Sequence, residues 1–496
     1  MAQRTEVDVV VVGSGPNGLA AAVTMARAGL GVQVLEAEDT LGGGARTLDL
    51  QLTDVGVTHD ICSAVHPLAL ASPFFEAFDL PSRGVGLTVP EVAYAQPLDG
   101  GRAGVAYHDL ERTAVGLGRD GAAWRAFMTP LMRHQREVIA VSLSDKRSIP
   151  RELLSPGGIA GALTFGSRLL EQGSRAWNAR FSDDEAPALL TGVSAHAIAR
   201  MPAFAPAGTA IMLASLAHTV GWPLPVGGSQ AITDAMLDDL RAHGGDVRTG
   251  VRVSDWRELP RARAYLFDTT PRTVLEVWKD RVPTAAASAL GRFPHGPGAA
   301  KVDFVLDGPV PWTHPEVGAA GTIHVGGTRA QMAAAEEAVH RGRHAAAPMV
   351  LASDPSVVVP SREIAGLRPF WTYAHVPAGS TRDVTEDVTA QIERFAPGFR
   401  DVVVASRCVP AAEMAQHNAN YVGGDIAAGA VTFYRMVARP TLRADPYAVG
   451  IPGVYLCSAS TTPAPGVHGM NGWYAAGRAL RARFGIRRTP DLSPGR

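Results

Sequence analysis

The stretch VDVVVVGSGPNGLAAAVTMARAGLGVQVLE, residues 7–36, decides the fold. Val7–Val12 is a β-branched run interrupted only by Asp8, as expected of a strand buried on both faces of a parallel sheet. Pro16 suits the first turn of a helix, Leu19–Ala28 continues it, and Gly29 stops it. A second apolar strand, Val32–Leu35, ends at Glu36. The strand-to-helix turn is Gly13-Ser14-Gly15-Pro16-Asn17-Gly18. In a Gly-x-Gly-x-x-Gly turn so placed, Gly13 permits the tight bend and Gly15 lets backbone N–H groups approach a pyrophosphate. Gly18 lets helix and sheet pack closely. The helix start at Pro16 and Asn17 adds about half a positive charge. Glu36 stands where a carboxylate accepts hydrogen bonds from a ribose, and it would repel a 2′-phosphate. The unit therefore predicts a dinucleotide other than NADP.

The same α/β grammar returns twice. Ala231–His243 reads as a helix ended by Gly244-Gly245, Val247–Val253 as a strand, and Ala264–Phe267 as another, followed by a helix from Pro271. Later, Gly453–Cys457 reads as a strand and Asn471–Phe484 as a helix. Between these blocks the pattern changes. Residues 74–225 hold short amphipathic pieces such as Trp124–Ile139, Ile159–Leu170 and Ala186–Ile198, and read as largely helical. Residues 301–415 look mixed, with strands at Lys301–Leu306, Thr322–Val325 and Pro369–His375 and helices at 329–342 and 385–396. The expected class is α/β: a Rossmann-like nucleotide-binding domain interrupted by a helical and mixed-sheet substrate domain. The first comprises 1–73, 226–300 and 416–486, the second 74–225 and 301–415, and 487–496 is expected to be a loose tail.

Composition narrows the function. The chain has 496 residues with 46 Lys+Arg against 47 Asp+Glu, so no basic excess exists to hold a nucleic acid. Charged residues are 19%, below the roughly 25% of an average soluble domain, which hints at a large interior or an apolar cavity. Cys62, Cys408 and Cys457 are too scattered for a disulfide framework or a redox dithiol, which points to a reducing compartment. Met1–Asp8 is polar and the next apolar run breaks at Gly13, so no secretory leader is read there. Ala203–Thr233 lacks charge but holds three prolines and four glycines, which disfavours a membrane span. A cytoplasmic protein is expected, at most attached to one membrane face.

A second glycine turn, Gly42-Gly43-Gly44-Ala45-Arg46-Thr47, follows the acidic strand, and a long cofactor with two phosphates can use both turns. The pairing of Gly13–Gly18 and Glu36 with Gly42–Thr47 resembles the FAD-binding fold of amine oxidases and phytoene desaturases. The segments 226–229, 371–377, 421–425, 455–461 and 466–470 resemble the phytoene-desaturase-like subgroup, which includes proteins called pyridine nucleotide-disulfide oxidoreductase domain-containing. The likeness runs from about residue 6 to 484. It implies an FAD-dependent oxidoreductase acting on an apolar or amphipathic small molecule, reoxidised by oxygen, a quinone or another carrier. It implies that Glu36 binds the adenosine ribose and that Gly43, Gly44, Arg46 and Thr47 lie near the phosphates or flavin. Val253 would read adenine through its backbone, and Ser458, Val467, His468, Gly469 and Met470 would face the flavin. Amine oxidation or isomerisation on the same scaffold are alternatives, as is an escort protein of the GDP-dissociation-inhibitor type. One departure is the turn Thr462-Pro463-Ala464-Pro465-Gly466, where the family is richer in glycine; two prolines stiffen it and remove donors.

His66 and His468 lie in the segments expected to frame the flavin ring, where a histidine could take a substrate proton while hydride leaves for the flavin. Other clusters weaken when weighed. His340 and His344 stand one helical turn apart, but Gly342 and two arginines between them suit a solvated helix end, and no metal is expected. Gly192-Val193-Ser194-Ala195-His196 misses the nucleophile elbow because His196 replaces its last glycine, so it reads as an ordinary helix segment.

Overall fold

The computed structural model describes residues 6–495. Five parallel strands form the first sheet, in the order Val454–Leu456, Ala264–Phe267, Val9–Val12, Val32–Leu35, Asp246–Arg248. Strands from three distant stretches of sequence thus build one sheet. Val9, Val10 and Val11 are wholly buried at its centre, as the continuous apolar run requires. The helix Pro16–Arg27 covers one face and packs on Met470–Ala479. A Cβ on Gly472 would lie 1.8 Å from the carbonyl oxygen of Asn17, so only glycine permits that approach.

The second sheet has seven strands: Val403–Val409, Gly298–Leu306, Arg368–Val376, Val350–Ser353, Ala320–Val325, Val92–Leu98 and Arg102–Tyr107. Its neighbours are antiparallel except Ala320–Val325 with Val92–Leu98. One face packs Phe304 and Phe370 against Val388 and Ile392 of the helix Thr385–Glu393. The other face carries Tyr373, Trp371 and His324 toward a helical layer that includes Glu185–Ala195 and Phe204–Ala217. The mixed α/β class read from the sequence is the one observed.

Several local expectations need correction. The hairpin Val92–Tyr107 lies inside the region read as helical; its first strand is buried at every position, so no period-two alternation marks it. Trp124–Ile139 is two helices, Gly121–Arg133 and Gln135–Leu143, broken at His134. The strand read over Val247–Val253 stops at Arg248, and the chain turns at Gly250 with φ +66°. The end of the chain is not loose over its described part. Leu492 is buried, its carbonyl accepts from Arg83 Nη2 at 2.7 Å, and Ser493 O accepts from Arg27 Nη1 at 3.1 Å. No helix among the described residues is long and apolar enough to cross a membrane.

Candidate dinucleotide and substrate cavity

A single cavity of about 690 Å³ opens at the carboxyl ends of the parallel strands and runs to the second sheet. That edge is where ligands sit in open α/β sheets. Its first arm is lined by Gly13, Gly15, Pro16, Asn17, Glu36, Gly43, Gly44, Arg46 and Val253. Gly13 has φ +98°, and a Cβ on Gly43 would lie 2.8 Å from Gly15 Cα, so the two glycine turns pack into one cradle. Ser14 ties them together: Gly42 N–H donates to Ser14 Oγ at 3.1 Å, and Ser14 donates its own N–H and O–H to Glu36 Oε2 at 2.8 and 2.7 Å. Glu36 Oε1 accepts from Glu38 N–H at 3.0 Å, which leaves the carboxylate further acceptor capacity beside the cavity. The N-cap of the helix Pro16–Arg27, Gly15, offers no side chain to the first turn, where Gly18 N–H donates instead to Asp268 Oδ2. Arg46 is held by Gly43 O, Thr40 Oγ1 and the carbonyl of His417.

Four residues expected to bind cofactor do not line the cavity, and each has a structural reason. Gly18 lies one layer back, where a Cβ would meet Gly13 O at 2.3 Å. Thr47 donates to Asp60 Oδ1 at 2.6 Å and accepts from Gln230 N–H at 3.1 Å, knitting the turn to the next helix. Gly469, at φ +69°, is packed under Phe74, where a Cβ would come within 2.4 Å of the ring. Met470 is buried and donates its N–H to His468 Nδ1 at 3.1 Å.

The second arm brings Ser458, Val467, His468 and His66 to the same cavity. Ser458 Oγ donates to Thr269 O at 2.6 Å. His468 accepts from Met470 at Nδ1, so its Nε2–H donates to Ala464 O at 3.1 Å, with Ala464 at φ +132°, a conformation that side chains rarely adopt. Both of its nitrogens are therefore engaged in holding the proline-rich turn. His66 Nε2 lies 2.7 Å from Ser229 Oγ, whose proton goes to Ser63 O at 2.5 Å, so the imidazole is the donor. Burial lowers both histidines to about 4, and both are neutral near pH 7. The arm continues past Phe165, Leu169, Met212, Trp371, Phe433 and Val437, an apolar chamber wall.

Asp268 was not singled out from the sequence, although it ends a parallel strand at the ligand-binding edge. Its Oδ2 accepts from Gly18 N–H at 2.8 Å, at the helix N-terminus, and burial pushes its pKa up to about 7, with Glu36 adding to the rise. A buried triad also emerged: Lys301 pairs with Asp303, and His59 Nδ1 lies 3.4 Å from Asp303. Its members are too far apart in sequence (59, 301, 303) for spacing to reveal it. His340 and His344 stay apart as expected of a helix end, His340 exposed and His344 bonded to Ser380 Oγ at 2.9 Å. No group of three His, Cys, Asp or Glu side chains among the described residues is arranged to hold a metal.

Residues 11–77 match the NAD(P)-binding Rossmann-like domain family. An uncharacterized protein of Mycobacterium tuberculosis is 28% identical over 448 residues, covering 78% of this chain and 77% of that protein. The mouse pyridine nucleotide-disulfide oxidoreductase domain-containing protein 2 is 23% identical, covering 95% of this chain and 93% of its own. The hydroxyneurosporene desaturase of Rhodobacter capsulatus is 58% identical over 45 residues, 9% of each chain. Among solved structures, a putrescine oxidase variant superposes with a TM-score of 0.60 at 16% identity, over 96% of this chain and 99% of that one. The two-turn cradle fits a dinucleotide, and the buried Asn17 Oδ1, which has no partner among the described residues, lines the same arm. Residues 11–77 thus match an NAD(P)-binding Rossmann-like domain, and the chain as a whole shares the α/β fold of the amine oxidase structure, in keeping with the resemblance read from the sequence.

Proposed function

We propose that the chain is an FAD-dependent oxidoreductase that dehydrogenates an apolar or amphipathic small molecule. The observation that carries this reading is the continuity of one cavity, from the glycine cradle to an apolar chamber. When bound, FAD supplies the hydride acceptor. The chain's own residues do the rest. Glu36 would accept from the ribose, Gly13–Asn17 with Gly43 and Gly44 would hold the diphosphate, Arg46 would offset its charge, and Val253 would offer its backbone to the adenine. Ser458, Val467 and His468 would border the flavin ring, with Gly469 and Met470 supporting that turn from behind. The apolar wall excludes water from the reacting carbon. His468 holds the ring-side turn through two backbone contacts, so His66 is the one of the pair with a nitrogen, Nδ1, free to take a proton. A neutral imidazole of pKa about 4 is a weak base, so that role applies only to an activated C–H.

Dehydrogenation is favoured over amine oxidation by the charge of the chamber. The acids lining the cavity are Glu36, Glu38, Asp268 and Glu276, all at the dinucleotide end, and the apolar arm offers none to an ammonium group. Oxygen, a quinone or another carrier would complete the cycle. Peripheral contact with a membrane is part of the same reading. The helix Pro156–Gln172 lines the chamber through Phe165 and Leu169 and exposes Ile159, Leu163 and Leu170, while Phe433–Val437 exposes Phe433, Tyr434 and Val437 beside it. Anaerobic rapid mixing tests the chemistry. Bleaching of bound flavin by amphipathic candidates and not by NADH supports the reading; bleaching by NADH alone would overturn it.

A further inference from the structure

His196, dismissed above as part of an ordinary helix segment, caps the helix Glu185–Ala195 and lines the chamber. Its Nε2 lies 2.9 Å from Nε2 of His324, which is wholly buried on the strand Ala320–Val325. The rings meet edge to face, 5.1 Å apart at 80°. Gly192 makes this possible, because a Cβ there would lie 2.7 Å from His324 Cγ. One proton is shared between the two facing nitrogens, and Nδ1 of His196 has no hydrogen-bond partner among the described residues. Behind the pair, His375 Nδ1 is hydrogen-bonded to Glu336, while His375 Nε2, His324 Nδ1 and Glu336 Oε2 are buried without partners.

The same sheet face supplies a second, independent sign of a ligand. Thr322 Oγ1 and Trp371 Nε1 are buried with no hydrogen-bond partner, and both residues line the cavity. Buried polar atoms left unpaired in an otherwise apolar wall are costly, and a ligand group that pairs with them removes the cost. The register puts them together: Leu351 pairs with His324 on one side and Tyr373 on the other, and Trp371 is two residues from Tyr373.

We infer that His196, backed by His324, is the polar anchor of the chamber, and that it takes one uncharged hydrogen-bonding group, a hydroxyl or carbonyl oxygen, of an otherwise apolar substrate. This rests on the reading of the cavity given above and deepens it to a substrate class. The pair suits a neutral group for two reasons. Burial and the neighbouring His375 hold His196 down to about 3, and burial with the other two histidines holds His324 well below its ordinary value. Both rings are therefore uncharged and can exchange donor and acceptor roles by tautomer, so Nδ1 of His196 can receive a hydroxyl proton or donate to a carbonyl. Charged head groups find no counterpart. No acid lines this arm, and its one ammonium, Lys146, already donates to Val141 O, Ser142 O and Ser144 Oγ.

The test is a chain-matched set of probes, dodecane, 1-dodecanol, dodecylammonium and dodecanoate, titrated into the purified protein. Tryptophan fluorescence reports binding, since Trp222 and Trp371 line the site, and flavin absorbance reports it separately. Dodecanol should bind about 3- to 10-fold tighter than dodecane, the worth of one net hydrogen bond, and tighter than either ion. His196→Leu should bring alcohol and alkane within about twofold while leaving alkane binding intact, and His196→Gln should restore part of the preference. Unchanged alcohol preference in His196→Leu, or preference for either ion in the wild type, would overturn the inference. If the protein holds FAD but shows no head-group preference, the anchor fails and the flavin reading stands. If it holds no FAD yet ranks the probes as expected, the reverse is true.

Discussion

Replacing Asp268 with Asn should flatten the pH dependence of both stability and FAD affinity. In the folded chain the carboxyl sits at the start of the first helix, accepting from Gly18 N–H at 2.8 Å, with Gly15 so close that a Cβ there would come within 2.5 Å of Oδ2. Burial, with Glu36 nearby, raises its pKa from 3.8 to about 7. A raised folded pKa means the folded state binds the proton more tightly than the unfolded one. The stability contributed by this carboxyl is therefore fully present below pH 3.8 and is lost progressively as pH rises to about 7, by about 4 kcal/mol as an upper bound. Asparagine has the same shape, keeps an acceptor for Gly18 N–H, and carries no charge. It should stabilise the apoprotein by about 1–4 kcal/mol at alkaline pH and do little near pH 4. The diphosphate would lie against this carboxyl, so binding should take up a proton. Wild-type affinity should then fall by up to about tenfold per pH unit above 7, and that of Asp268→Asn should not. Thermal melts of apoprotein and fluorescence titrations with FAD from about pH 6 to 9 read both effects. Parallel slopes in the two proteins would refute the reasoning.

Glu36→Arg should weaken FAD retention by about 10- to 100-fold, because it removes the ribose acceptor and also the anchor of Ser14; dialysis followed by flavin fluorescence measures it. His66→Gln should slow flavin reduction by about 10²-fold or more if a dedicated base is needed, whereas His468→Gln should chiefly loosen the turn at Ala464 and lower FAD retention. Wild-type rates in both variants across pH would leave orientation alone to account for turnover. The paired change Leu163→Glu and Phe433→Glu should cut sedimentation with phosphatidylcholine vesicles by about tenfold or more, since both side chains are over half exposed beside the chamber.

The nucleotide-binding half was legible because its signals are local. Val9–Val12, the six-residue turn and Glu36 lie within one short segment, and backbone sterics fix what such a segment can do. The second glycine turn was equally readable, as three glycines and a cation close behind the acidic strand, though the packing of Gly43 on Gly15 was not. The chamber was not, because its polar wall is assembled from strands far apart in sequence. His196, His324, His375 and Glu336 meet only through sheet register and the close seat at Gly192. The strand Val92–Leu98 escaped notice for a related reason: burial on both faces erases the alternation that marks a strand. Asp268 is the intermediate case, a lone acid whose position at a strand end was visible but whose proximity to Gly18, 250 residues away in sequence, was not.

The central claim is that this cavity holds FAD as a redox cofactor, and the released chromophore tests it most directly. Protein purified without added cofactor, or reconstituted with FAD and desalted, would be denatured and its supernatant identified by absorbance and chromatography. FAD should be recovered at one equivalent per chain, from a protein that is yellow before denaturation and bleaches under anaerobic reduction. Recovery of NAD, or of no nucleotide even after reconstitution, would contradict it.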